Sequence, residues 1–96
     1  MQLRDRITEL SDAIRATAAA HGAREVRLFG SVARGEEAGD SDVDFLVTLE
    51  PGRTLLDLAR LELQLEALLG QRVDVVTEGG LREPVRSTAL RESVRV

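Results

Sequence analysis

The 96-residue chain reads as an α/β fold, a small sheet flanked by helices, on three observations. Apolar residues recur at helical spacing in long stretches, short runs rich in Val, Leu and Phe alternate with them, and Gly or Pro stands at most of the junctions. The length suits one small soluble domain spanning residues 1–96.

Leu3, Ile7, Leu10 and Ile14 follow one another at spacings of three and four, and Ala18 extends the stripe, which predicts one amphipathic helix ending near His21-Gly22. At that end His21 suits capping of helix carbonyls better than general-base work. Arg24 to Phe29 predicts a first strand, Gly30 to Gly35 a tight turn opening a short helix, and residues 36–41 a polar loop. Asp42 to Leu49 predicts a second strand, closed by Glu50-Pro51-Gly52.

Residues 54–69 place Leu55, Leu58, Leu61, Leu65, Leu68 and Leu69 on one helical face. Leu61, Leu63 and Leu65 also alternate with period two, and the length of the stretch decides for helix. Leu56, Leu63 and Ala67 form a second, narrower stripe that an isolated domain leaves wet; either a partner covers it or a Leu-rich composition scatters it there. Arg72 to Thr77 predicts a third strand, and Pro84 opens a last helix over 84–92 with Val85, Ala89 and Leu90 inward.

Composition excludes much chemistry. No apolar run approaches the ~20 residues of a membrane span, and Met1 to Arg6 lacks the layout of a secretion signal, so a cytoplasmic protein is expected. The chain has no Cys, Lys, Tyr, Trp or Asn and a single His, which removes disulfides, Cys nucleophiles, Schiff-base or adenylated Lys, and zinc clusters. All 13 basic residues are Arg, against 17 acidic ones, and Phe29 and Phe45 are the only aromatics. That balance disfavours nucleic acid as a partner. Carboxylate is what remains abundant, and carboxylate chemistry points to metal.

Alternate residues of a strand share a face with Cα atoms about 6.5 to 7 Å apart, so Asp42 and Asp44 can converge on one site while Val43 and Phe45 point into the core. Two carboxylates so close repel each other unless a cation lies between them, and hard oxygen ligands select Mg²⁺ or Mn²⁺. Asp74, within Val73-Asp74-Val75-Val76, is the third candidate: an ionised side chain in a buried strand costs several kcal/mol unless it is paired, metal-bound or at an exposed end. Gly30-Ser31 follows the first strand and lets backbone approach a phosphate at a helix start. Arg34 can neutralise phosphate, or pair with Glu36, Glu37 or Asp40.

The runs Gly30-Ser31-Val32-Ala33-Arg34-Gly35, Ser41-Asp42-Val43-Asp44-Phe45-Leu46-Val47 and Val73-Asp74-Val75-Val76 together resemble the minimal nucleotidyltransferases, a branch of the DNA polymerase β superfamily. The resemblance covers nearly the whole chain. It implies a palm-like fold whose mixed sheet carries the three carboxylates. It also implies transfer of a nucleoside monophosphate from a triphosphate, ATP by family default, to a hydroxyl with release of pyrophosphate. In that scheme Asp42 and Asp44 bridge two Mg²⁺ ions roughly 3.5 to 4 Å apart, Asp74 binds the ion that activates the acceptor, and Gly30-Ser31 holds the β- and γ-phosphates.

A chain this short has little surface left for a separate acceptor-binding module, so the acceptor is expected to bring its own. The resemblance implies a small helical HEPN toxin, adenylylated on a tyrosine, with this chain as its antitoxin. Two rival expectations stand beside it: an antitoxin with a vestigial site that neutralises by contact alone, and an enzyme modifying a small molecule such as an aminoglycoside. Relatives of the latter kind generally carry an added acceptor domain. Homo- and hetero-oligomers both remain open.

Overall fold

Helix begins at Leu3, and the predicted single helix is two: α1 (Leu3–Glu9) and α2 (Ser11–Ala20), with Leu10 between them at φ −95°, ψ 11°. The computed structural model describes residues 2–36 and 42–96. Leu10 N–H donates to the Arg6 carbonyl at 2.9 Å and Ile14 N–H to the Leu10 carbonyl at 2.8 Å, so each helix keeps a bond to the residue that joins them. The Thr8 hydroxyl donates to the Arg4 carbonyl at 3.0 Å, the back-bonding that bends helices. His21 sits at the C-terminal end of α2, as expected.

Strand β1 (Ala23–Phe29) leads through α3 (Gly30–Arg34) to β2 (Val43–Leu49), α4 (Leu55–Leu69) and β3 (Val73–Thr77). A 3₁₀ turn (Glu78–Gly80), α5 (Val85–Glu92) and a two-residue β4 (Val94–Arg95) complete the order. Apart from Glu36, the polar loop predicted at 36–41 lies outside the described residues, and with it Ser41 and the Arg34 partners offered by sequence, Glu37 and Asp40. The sheet order is β3-β2-β1-β4, with β1 antiparallel to both β2 and β4 and β2 parallel to β3. The sheet is therefore mixed, as the resemblance implied.

Alternation builds the core. Val26 and Leu28 of β1, Val43, Phe45 and Val47 of β2, and Val73 and Val75 of β3 join one apolar cluster with Leu3, Ile7, Ile14 and Ala18 of the first two helices and Leu61, Leu65 and Leu69 of α4. Asp44 and Leu46 alternate onto the other face, and Leu46 and Ala89 are buried outside that cluster. Helix α4 starts where the Asp57 carboxylate accepts the Thr54 N–H at 2.8 Å, and ends at Gly70, whose φ of +66° is the left-handed closure glycine permits.

Two inward assignments are corrected. Leu55 is 82% exposed because it precedes Leu61, the first fully buried position, by six residues, a rotation of roughly 240° around the helix. Val85 is 55% exposed, and Ala89 is the buried residue of α5. The second α4 stripe is wet as expected: Leu56 is 56% and Leu63 65% exposed, and Ala67 is exposed with them.

Candidate active site

Antiparallel β1 ends where β2 and β3 begin, so the glycine turn and the acidic residues gather at one end of the sheet. Asp44 pairs in register with Phe29 of β1 on one side and with Asp74 of β3 on the other. Register partners in a parallel pair present their side chains to the same face, with the strands about 4.8 Å apart. Asp74 therefore stands beside Asp44 on the face turned away from the main core. Asp74 is exposed and Asp44 half-buried, so the strand places the Asp74 charge in water rather than among the valines that flank it. Asp42 immediately precedes β2 and is exposed.

Gly30 makes the approach of the turn to Asp44 possible. Its φ is +78°, and a Cβ built there would overlap Asp44 Oδ2 and lie 3.2 Å from Asp44 Cγ. Glycine lets the β1–α3 backbone pass this close with the carboxylate left in place, whereas a Cβ would have to displace it. Ser31 follows in the first turn of α3, half-buried, its carbonyl accepting the Glu36 N–H at 2.9 Å.

Burial pushes the Asp44 carboxyl above its ordinary range, and the negative charges of Asp74 and Asp42 push it further, opposed by the Arg34 cation. All three charges thus act on Asp44. Arg34 itself is held by two carboxylates, its Nε 3.0 Å from Glu36 Oε1 and its Nη1 2.9 Å from Glu92 Oε2, and these contacts raise its pKa. Of the partners sequence offered, Glu36 is present. Glu92, 58 residues away, was beyond any local signal.

The donor set fits a hard cation in a particular way. Among the described residues no group of three or more His, Cys, Asp or Glu side chains forms a ready cage. Mg²⁺ is ordinarily held by one or two carboxylates with substrate phosphates and water completing the octahedron. Asp44 and Asp74 side by side, with the charge of Asp42 close enough to act on Asp44, supply that kind of half-site. A divalent cation there would offset the burial of the Asp44 charge and its repulsion by Asp74 and Asp42.

Other features escaped the sequence reading. Glu62 and Glu66 of α4 bond main-chain amides of β3 on either side of Asp74. A groove of about 280 Å³, lined by Phe29, Gly30 and Arg34 together with Pro84, Val85 and Ala89 of the α5 region, opens beside the glycine turn. No helix among the described residues is long and apolar enough to cross a membrane.

Against known proteins, residues 7–96 match the family described as Nucleotidyltransferase domain. Protein adenylyltransferase MntA of Thermococcus cleftensis is 51% identical over 75 residues, covering 78% of this chain and 76% of that protein. A solved structure of a candidate minimal nucleotidyltransferase superposes with a TM-score of 0.87 at 52% identity, covering 100% of this chain and 97% of the other. A toxin-antitoxin complex solved with AMP-PNP superposes with a TM-score of 0.75 at 19% identity, over 88% of this chain and 69% of its own, a likeness of fold.

Proposed function

The chain belongs to the nucleotidyltransferase domain family, and from that premise we propose that it is a protein adenylyltransferase that transfers AMP from ATP to a tyrosine hydroxyl of a partner HEPN-type toxin and acts as its antitoxin. The relative named MntA and the toxin-antitoxin complex of the same fold support this reading. The observation that carries it is the in-register pair Asp44 and Asp74 beside a glycine turn where a Cβ would displace the Asp44 carboxylate.

In the reaction the acceptor oxygen attacks the α-phosphorus, the bond to the β-phosphate bridging oxygen breaks, and pyrophosphate leaves. Asp42, Asp44 and Asp74 are the residues that would hold two Mg²⁺ ions. Such ions, when bound, stabilise both the attacking and the leaving oxygen. Asp74, exposed like Asp42, faces the solvent side from which an acceptor arrives and can assist loss of the hydroxyl proton. Gly30 and Ser31 bring main-chain N–H groups to the β- and γ-phosphates. Arg34 adds positive potential to the same place, anchored by Glu36 and Glu92. No covalent enzyme intermediate is needed, which agrees with a chain lacking Cys and Lys. The exposed Leu56, Leu63 and Ala67 stripe gives the partner an apolar surface to cover.

The test incubates the protein with Mg²⁺, α-labelled ATP and the small protein encoded by the adjacent reading frame. Label is expected on that protein, lost with Asp42→Asn or Asp44→Asn and with Tyr→Phe at the acceptor. Intact neutralisation with no labelled partner overturns the proposal in favour of an antitoxin that works by contact.

A further inference from the structure

Asp74 sits on β3, and β3 is an edge of the sheet. An edge strand carries a row of amides with no sheet partner, opens more readily than an interior strand and pairs with foreign chains. Here two of those amides are taken. The Arg72 carbonyl accepts the Val43 N–H at 2.9 Å, so residue 72 faces β2, and the alternation of an extended chain turns the amides of Val73 and Val75 away from it. Val73 N–H donates to Glu66 Oε2 at 3.1 Å, and Val75 N–H donates to Glu62 Oε2 at 3.2 Å.

The two carboxylates come from one face of α4, a turn apart. Four helical residues rise about 6.0 Å and two strand residues about 6.6 Å, so the spacing of the pair on the helix matches the spacing of the amides on the strand. The helix precedes β3 and returns through the short Gly70 turn, so it runs against the strand, and the later glutamate meets the earlier amide. Asp74 is the residue between the two clamped amides.

We propose that Glu62 and Glu66 are positioning residues for Asp74: by holding the amides on both sides of it they fix the edge strand against β2 and keep the Asp74 carboxylate beside Asp44. The inference rests on the reading above, in which Asp74 serves the transfer reaction. A carboxylate accepting a main-chain N–H makes a charge-assisted bond, and glutamine offers an oxygen at the same reach without the charge. The clamp therefore requires the oxygen, and glutamine should replace glutamate while alanine should not.

Three measurements test it on the full chain, comparing wild type with Glu62→Ala/Glu66→Ala and Glu62→Gln/Glu66→Gln. In metal-free protein, hydrogen exchange at the Val73 and Val75 amides should speed up about tenfold or more in the alanine pair and stay near wild type in the glutamine pair, with Leu46, whose amide faces β1, unchanged. With Mn²⁺ alone as a paramagnetic probe, resonances of Asp44 and Asp74 should broaden together in wild type and in the glutamine pair, while the alanine pair loses broadening at Asp74 and keeps it at Asp44. With Mg²⁺, ATP and the acceptor protein, kcat should fall about tenfold in the alanine pair with the KM for ATP little changed, and recover in the glutamine pair.

If the double alanine variant does not fold, the single variants decide: Glu66→Ala should free the Val73 amide alone and Glu62→Ala the Val75 amide alone. Unchanged exchange, joint Mn²⁺ broadening that persists in the alanine variants, or a glutamine pair as impaired as the alanine pair overturns the proposal. A wild type that broadens and exchanges as described but transfers no label overturns the functional reading and leaves the clamp established as a determinant of Asp74 position.

Discussion

Replacing Gly30 by alanine separates two costs that coincide at one position. With φ at +78° an L side chain enters the left-handed region, which costs about 1 to 2 kcal/mol. The added Cβ would also overlap Asp44 Oδ2, and driving that carboxylate off its rotamer costs about 0.5 to 1.5 kcal/mol more. The sum is about 1.5 to 3.5 kcal/mol. At roughly 4 to 8 °C per kcal/mol for a domain of this length, the melting temperature should fall by roughly 6 to 28 °C. Gly35 calibrates the first cost: its φ is +74°, and among the described residues no atom beyond its chain neighbours lies within 4 Å of the Cβ it would gain. Gly35→Ala should therefore lose only about 1 to 2 kcal/mol and keep label transfer nearly intact. Gly30→Ala should lower transfer about tenfold or more, because the displaced group is a proposed metal ligand. In an Asp44→Ala background the collision partner is gone, and Gly30→Ala should then cost no more than Gly35→Ala. Scanning calorimetry and transfer from α-labelled ATP measure both arms. Equal transfer in the two glycine variants, or a Gly30 cost unmoved by Asp44→Ala, refutes the view that close approach of the turn governs this carboxylate.

Further expectations follow from the same geometry. Because the Asp44 pKa lies above its ordinary value of 3.8, the ionised group destabilises the metal-free fold at pH above the raised value, and protonation removes that cost as pH falls. Asp44→Asn should therefore raise the melting temperature of metal-free protein at neutral pH, with the gain vanishing below about pH 3.8; a constant offset at all pH values contradicts it. Asp74→Asn removes one of the repelling charges and should lower the Asp44 pKa in a carboxyl NMR titration. Adding Mg²⁺ should stabilise the wild type by about 2.7 kcal/mol at a hundredfold excess over its dissociation constant, and Asp44→Asn should abolish the effect in thermal melts. Leu61→Ala, at a fully buried position of α4, should cost about 2 to 5 kcal/mol in denaturant titrations, whereas Leu63→Ala on the exposed stripe should change stability by about 0.5 kcal/mol or less.

Legibility in the sequence followed the range of the interactions. The strands containing Val43 to Leu49 and Val73 to Thr77 announced themselves because alternation of apolar and acidic residues is a local pattern. Their parallel pairing, which puts Asp74 next to Asp44, is a long-range fact that periodicity does not contain; the resemblance implied only a mixed sheet carrying three carboxylates. The split of the first helix at Leu10 leaves the apolar stripe intact, so the stripe could not reveal it. The pairing of Val94 and Arg95 with Leu28 and Arg27 involves too few residues to leave a period. Leu55 was misplaced inward because a leucine-rich helix offers more apolar positions than its sheet can cover. Glu62 and Glu66 read as ordinary solvated charges, since nothing in their spacing says that an edge strand lies beneath them.

The same alternation that buries Val43, Phe45, Val73 and Val75 holds Asp44 and Asp74 on the opposite face, so the core and the candidate site share one register. A slip of one residue between β2 and β3 would turn a carboxylate into the apolar cluster and a valine into water, costing several kcal/mol on both counts. The alignment of the two aspartates thus inherits its precision from hydrophobic packing on the other side of the sheet. Like charges can be kept adjacent because the residues between them are locked elsewhere. What packing cannot control is the outward drift of β3 at the sheet edge, and there the two α4 glutamates meet the amides that flank Asp74.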